Sequence, residues 1–430
     1  MTTWLGAAIG GHVAIVLALI KAGMNANSTL TNSDDTPLHF AAQEGHEAVV
    51  RVLIEAGSDF NKSGDFEKTP LYVAARNGQD VVVRMLLELG AEIEKATHKG
   101  RKPLFIAARE GHETVARTLI ESSADINVED YERKTPLYIA AQNGYEAVVR
   151  ELIEADAAVD KATDDGVTPL FIAAEMDHQT VVRALTELGA DVNKAWDDGV
   201  TLLCVAAANG HEAVVRALID LSADINTAKD NGVTPLFMAA QEGHEAVVRV
   251  LIEAGADVIT AGDADKTPLY IAAEKGREMV VRALIVAGAN VNKAAVNGDT
   301  PLYRAAGAGH EAVVRALIEA GADVNKSRVD NGATPICITA QNFHEVVARA
   351  LIEAGADVNK AMDNGATPLY MAAQIGHEAV VRALIEFGAD VNKARDNGRT
   401  PLSVSVNSVN NIAQGNHAAI VQLLRDAGAV

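Results

Sequence analysis

Histidine is the residue type in this chain that most invites a metal-site reading. Ten of the twelve histidines recur at one position of a repeating pattern: His12, His46, His112, His178, His211, His244, His310, His344, His377 and His417. Helices packed side by side stand roughly 8–10 Å apart. A zinc ion needs its nitrogen ligands at ~2.0–2.1 Å. Copies in neighbouring units therefore cannot share an ion, and the recurrence reads as a repeated structural hydrogen bond. Cys204 and Cys337 share one repeat position four units apart, beyond disulfide reach. Two cysteines build no disulfide framework, and they fit a reducing compartment. The acidic pairs Asp164-Asp165 and Asp197-Asp198 could suggest calcium or paired-carboxylate catalysis. They fall at turn tips, however, where Asp is favoured for local reasons. No Cys-His pair, glycine-rich phosphate loop or zinc-ligand spacing is present. These motifs support no catalytic residue, no cofactor and no metal site, so a non-enzymatic role is expected.

The bulk composition points the same way. The 430 residues are 49% hydrophobic but only 4% aromatic, so small aliphatic side chains must fill the core. The formal charge of −21 disfavours nucleic acid and anionic lipid as partners. It also keeps a long exposed array soluble.

What positions these residues is a period. Thr-Pro-Leu stands at 36–38, 69–71, 135–137, 168–170, 234–236, 267–269, 300–302, 367–369 and 400–402. Degenerate copies stand at Lys102, Thr201 and Thr334, and Thr2-Thr3-Trp4 begins the series. The thirteen starts lie near 2, 36, 69, 102, 135, 168, 201, 234, 267, 300, 334, 367 and 400, with steps of 33 residues and two of 34. In the unit 367–399, Thr367 is an N-cap and Pro368 a first-turn residue whose missing N–H costs nothing. Gly376 stops a short first helix. Val380, Val381, Ala383, Leu384 and Ile385 give the second helix an apolar stripe. Glu378, Arg382 and Glu386 form i, i+4 pairs on its other side. Asp396-Asn397-Gly398 is a turn-tip signal. One such unit cannot bury its own apolar face, so neighbours must stack on it.

The unit resembles the ankyrin repeat, whose first helix opens T-P-L-H-x-A on a 33-residue period. The resemblance runs through essentially the whole chain. It implies an all-α repeat solenoid of about thirteen ankyrin-type helix-turn-helix pairs with protruding β-turn or hairpin fingers, a single array over residues 1–430. It also implies protein binding through turn tips and first-helix surface. Turn Asn residues such as Asn193, Asn325, Asn359 and Asn392 can be hydroxylated in this family, although a turn-stabilising role is the preferred reading.

The chain departs from the pattern in several places. The family His after Thr-Pro-Leu survives only as His39; Tyr, Phe, Cys or Ser replaces it elsewhere. An aromatic ring is expected to wedge there instead. Asp177 and Phe343 replace a helix-ending Gly, so those two joints should be altered. Trp4 to Ile20 carries no charge and could be a signal-peptide core or a short membrane tether. It lacks a basic flank, and its Gly11-His12 and Ala22-Gly23 fall in repeat register, so two repeat helices are the better reading. The first unit then shows an apolar outer face at Val13 and Leu17, which suggests missing upstream repeats or association through this repeat. The last unit carries an insertion at about 403–416.

From about residue 160 the tips are near-identical acidic copies, whereas those at 65–68, 98–102 and 130–134 differ. They bring Phe66, Lys68, His98, Lys99, Arg101, Lys102, Tyr131, Arg133 and Lys134. Arg76, Asn77, Arg109, Glu110, Gln142 and Asn143 stand on the adjacent first helices, and Trp196 lies near its own turn. Aromatic and Arg anchors in an acidic chain make a partner-binding stripe; drift among multiplied copies is the bland alternative. The expected function is a cytoplasmic or nuclear scaffold or adaptor binding another protein of unknown identity. The alternatives are a recognition fragment of a larger multidomain protein and a membrane-tethered array.

Overall fold

The computed structural model describes residues 2–29, 34–196, 198–409 and 416–430. Among the described residues the secondary structure is helical, with 26 α-helices in thirteen consecutive pairs and no strand. Two compact units are present: Met1–Trp196 with Arg216–Ala223, and Asp197–Val215 with Asp224–Val430.

The local chemistry of each pair follows from its sequence. In the third repeat, Thr69 has extended backbone and its hydroxyl accepts from the Tyr72 amide at 3.2 Å. Pro70 then opens the helix Pro70–Arg76, and a second helix runs Asp80–Glu88. Side-chain caps of this kind contribute ~1 kcal/mol each. The second helices bury a stripe, such as Val148, Val149 and Leu152 in Glu146–Glu154. Their outer faces carry ion pairs: Arg150 reaches Glu146 at 2.9 Å in its own helix and Glu187 at 3.5 Å in the next repeat. Such half-exposed pairs contribute only ~0.2–0.5 kcal/mol each.

Polar ties join successive repeats in both directions. Looking back, histidine Nε2 meets a carbonyl of the preceding repeat: His46 to Ile9 (2.8 Å), His112 to Arg76 (2.9 Å), His178 to Gln142 (3.0 Å) and His310 to Glu274 (3.2 Å). The recurring histidine is thus a repeated structural bond. Looking forward, the turn Asn accepts from a backbone amide of the following repeat. Asn127 accepts from Ala158 and Asn325 from Asp357, both at 2.8 Å.

The position of the family histidine behaves as expected. His39 accepts from the Thr36 amide at Nδ1 (3.0 Å) and donates from Nε2 to the Lys68 carbonyl (3.1 Å). In most other copies a buried ring takes its place, with Phe105, Tyr270 and Tyr370 each 1% exposed, while Cys204, Cys337 and Ser403 hold it in three. Cations cover several of these rings: Arg101 over Phe105 at 5.5 Å, Lys134 over Tyr138 at 5.8 Å and Arg328 over Tyr303 at 5.5 Å. A cation–π contact in place of a histidine bridge holds finger to helix.

Both expected irregular joints are left-handed without glycine: Asp177 has φ 62° and Phe343 φ 66°. At a regular joint the next histidine lies over the glycine, and a Cβ on Gly309 would come within 2.5 Å of His344 Nδ1. Phe343 fills that space, and its ring centre sits 2.9 Å from that of His377. Neither ring nitrogen of buried His377 makes a well-formed hydrogen bond, and burial lowers its pKa to about 4 against a weaker opposing pull from the Ala340 carbonyl. Ser123, Asp156 and Ser222 hold the same left-handed conformation at the ends of second helices, where most copies place glycine.

Trp4–Ile20 forms parts of two repeat helices, Thr2–Ile9 and Val13–Lys21, with Trp4 and Val16 buried. Ile9, Ile15 and Leu17 stay about 40% exposed, so the apolar outer face is real. Among the described residues no helix is long and apolar enough to cross a membrane. In the last unit a helix spans Pro401–Val409 and another His417–Asp426. Residues 410–415 of the expected insertion lie outside the described residues.

Candidate functional site

The fingers that precede the third, fourth and fifth repeats are turns joined by backbone bonds. In the first of them Phe66 and Glu67 take successive left-handed conformations, with φ 56° and 60°. Ala264 and Asp265 repeat that turn in the other unit, so its strain is no mark of a site. The His98 amide donates to the Phe66 carbonyl at 3.3 Å, and the Tyr131 amide to the Lys99 carbonyl at 3.2 Å. This stacking brings residues one period apart in sequence next to each other.

Between these fingers and the first helices Pro70–Arg76 and Pro103–Glu110 lies a cleft of about 270 Å³. Seven of the residues expected from sequence line it: Phe66, Lys68, Arg76, His98, Lys99, Arg101 and Arg109. Tyr72 and Thr97 complete it and were not anticipated. Tyr72 stands at the position of the family histidine and Thr97 just before the tip at 98–102, so their register beside the tips was a usable signal.

Every charged side chain lining the cleft is basic. Phe66 is 63% exposed, with the His98 ring 5.1 Å from its own and the Lys68 ammonium 5.0 Å from its centre. Carboxylates sit at the edges. Glu110 pairs with Arg109 and reaches Arg76 at 4.0 Å. Buried Asp130 holds Arg101 at 3.3 Å. Among the described residues, Lys68 and Lys99 have no carboxylate at ion-pair distance. Burial pushes the Tyr72 hydroxyl pKa up, and Arg109, Arg101 and Arg76 pull it back. Three arginines thus line the cleft together with this one phenol. The arrangement gathers positive charge beside one exposed aromatic ring.

The other candidates lie outside the cleft. Lys102 pairs with Glu94 at 2.8 Å and Lys134 with Glu132 at 2.7 Å. Arg133 bridges Glu129 and Asp164. Tyr131 is 75% exposed on the neighbouring finger. Asn77 and Asn143 bond back to the Val73 and Ile139 carbonyls of their own helices. Gln142 is half-buried and lends its carbonyl to His178. Trp196 is packed away from the stripe: its ring centre is 3.6 Å from that of Phe171, and Nε1 donates to Gly166.

A second cleft, of about 250 Å³, is lined by Glu274, Tyr303, Arg304, Arg328 and Asn342 among others, and was not anticipated. Its charges are balanced internally. Wholly buried Asp299 meets Arg328 at 3.0 Å and Arg304 at 3.7 Å, and Glu274 pairs with Arg304. Its signal was Arg304, which stands where Val73, Ile106, Ile271, Ile338 and Met371 stand in other copies.

A family model described as ankyrin repeats (3 copies) matches residues 2–64, 59–130, 129–195, 193–262, 259–328 and 336–430. Among solved structures the chain is similar to the ankyrin repeat domain of Bcl-3, described as a unique member of the IkappaB protein family. That similarity has 26% identity and a TM-score of 0.47, over 53% of this chain and 100% of that one. No curated protein matches by sequence. Ankyrin repeats are generally protein-interaction modules, and the matches extend through nearly all of the thirteen helix pairs. The chain belongs to the ankyrin-repeat family.

Proposed function

We propose that this chain is a non-enzymatic scaffold or adaptor in a reducing, cytoplasmic compartment, and that it captures its partner protein at the cleft between Phe66 and Arg109. The supporting observation is the gathering of five fixed cations and one exposed aromatic ring, drawn from separate repeats, into one recess of a chain of charge −21. Exposed Arg and aromatic side chains are the usual anchors of an interface. Buried free Cys204 and Cys337 accord with the compartment.

The test is charge reversal. Arg101 and Lys134 stay intact, because they hold Asp130 and Glu132. Lys68, Arg76, Lys99 and Arg109 become Glu together. Affinity capture from cells followed by mass spectrometry is expected to lose the partner, with helical circular dichroism unchanged. Undiminished capture by the folded variant would place the partner elsewhere.

A further inference from the structure

Resting on that reading, we infer that the cleft receives an extended, carboxylate-rich segment of the partner, and that Glu110 is a resident carboxylate with which that segment competes. Three observations carry this. First, the lining holds Lys68, Arg76, Lys99, Arg101 and Arg109 and no acid. Lys68 and Lys99, which lack ion-pair partners among the described residues, are free to take new ones. Second, Glu110 already occupies Arg109 and lies 4.0 Å from Arg76. It shows that this corner accepts a carboxylate, and it partly fills the position an incoming one would take. Third, Phe66 offers an exposed ring beside the cations, so apolar side chains between the acids have a surface to rest on.

The spacing follows from the stacking. Cations on successive repeats stand roughly 8–10 Å apart, which a chain extended as polyproline II, at about 3.1 Å per residue and three residues per turn, spans in about three residues with those side chains on one face. Acidic residues at every third position therefore meet successive repeats. Nucleic acid presents the same charge but continues beyond so short a cleft. There its phosphates meet the acidic tips of a chain whose net charge is −21, and repulsion opposes binding.

The experiment uses the full chain and fluorescence anisotropy. The probe is a short fluorescein-labelled peptide with Glu at every third position among Gly and Ser. Its counterpart with Gln is the control. The Glu peptide is expected to bind roughly tenfold or more tighter than the Gln peptide, ~1.4 kcal/mol. The double variant Lys68→Glu, Lys99→Glu should abolish the difference. Glu110→Gln should tighten the Glu peptide by roughly threefold or more, because two guanidinium groups are released, while leaving the Gln peptide unchanged. A purely structural Glu110 would not produce that gain. Equal binding of the two peptides overturns the inference. So does a Glu110→Gln variant with unaltered or weaker affinity, or a single-stranded oligonucleotide of matched length that outcompetes the Glu peptide. If charge reversal abolishes partner capture while the Glu peptide does not bind, the cleft remains the docking site and only its acidic occupant is refuted.

Discussion

Phe343 shows how much one side chain can alter a joint. It holds φ 66°, a conformation that costs a non-glycine residue about 1 kcal/mol or more, and its ring is 61% exposed. The His377 ring against it has two buried nitrogens and no well-formed hydrogen bond. Phe343→Gly removes the backbone cost and returns to His377 the space its counterparts use to reach a carbonyl. That variant should be more stable by about 1–2 kcal/mol in urea denaturation at neutral pH. The pH dependence has a definite sign. His377 titrates at about 4 in the folded chain against 6.5 when unperturbed. Below pH 6.5 the unfolded chain takes up a proton that the folded chain refuses. This contribution to stability is complete above that pH and is lost as pH falls toward about 4. The loss should be smaller in Phe343→Gly and in His377→Gln. An unchanged profile in both would rule out His377 as its source.

At the scale of the helix pair, the ion network on Pro301–Ala308 makes a separate case. Asp299 is fully buried, while Arg304 and Arg328 keep 36% and 20% of their side chains exposed. Asp299→Ala leaves Arg304 with Glu274 and Arg328 with Asp330 as their remaining partners, and should cost about 2 kcal/mol, below the usual range for a broken buried pair because those carboxylates and water still reach the guanidinium groups. Adding Arg304→Ile and Arg328→Met, the residues of neighbouring copies, should recover most of that loss in the denaturation midpoint. A triple variant no better than the single one would contradict this account. The example also marks how far sequence could reach. Pairing, caps and the histidine bond were legible, because each depends on residue types repeated in every copy. Seven cleft residues were legible because their copies vary while the scaffold does not. The buried network was missed because it arises from three coincident exceptions, each unremarked alone. Where the Asn77 and Asn143 amides bond was not legible: an amide at a helix end can bond its own helix's carbonyls or reach further, and only coordinates show which.

For the whole molecule, charge acts on folding and binding with opposite signs. A net charge of −21 repels itself in the compact state, and salt relieves that repulsion. The cleft is a local exception whose attraction salt weakens. Raising ionic strength from low to about physiological should therefore stabilise the fold while loosening the captured partner. Parallel thermal unfolding and partner titration across a salt series would check this, and a partner whose affinity rises with salt would exclude ionic capture. The backward histidine and forward asparagine bonds have a different consequence. Donor and acceptor recur at the same register, so a regular repeat makes no distinction between one neighbour and another. Such copies are interchangeable parts, which duplication can add without designing a new joint. The basic cleft has no such freedom. Phe66 comes from one finger, His98 from the next, and Arg109 from the helix after it. It exists only in the order these copies happen to hold, so its recognition is a property of arrangement that no single repeat possesses.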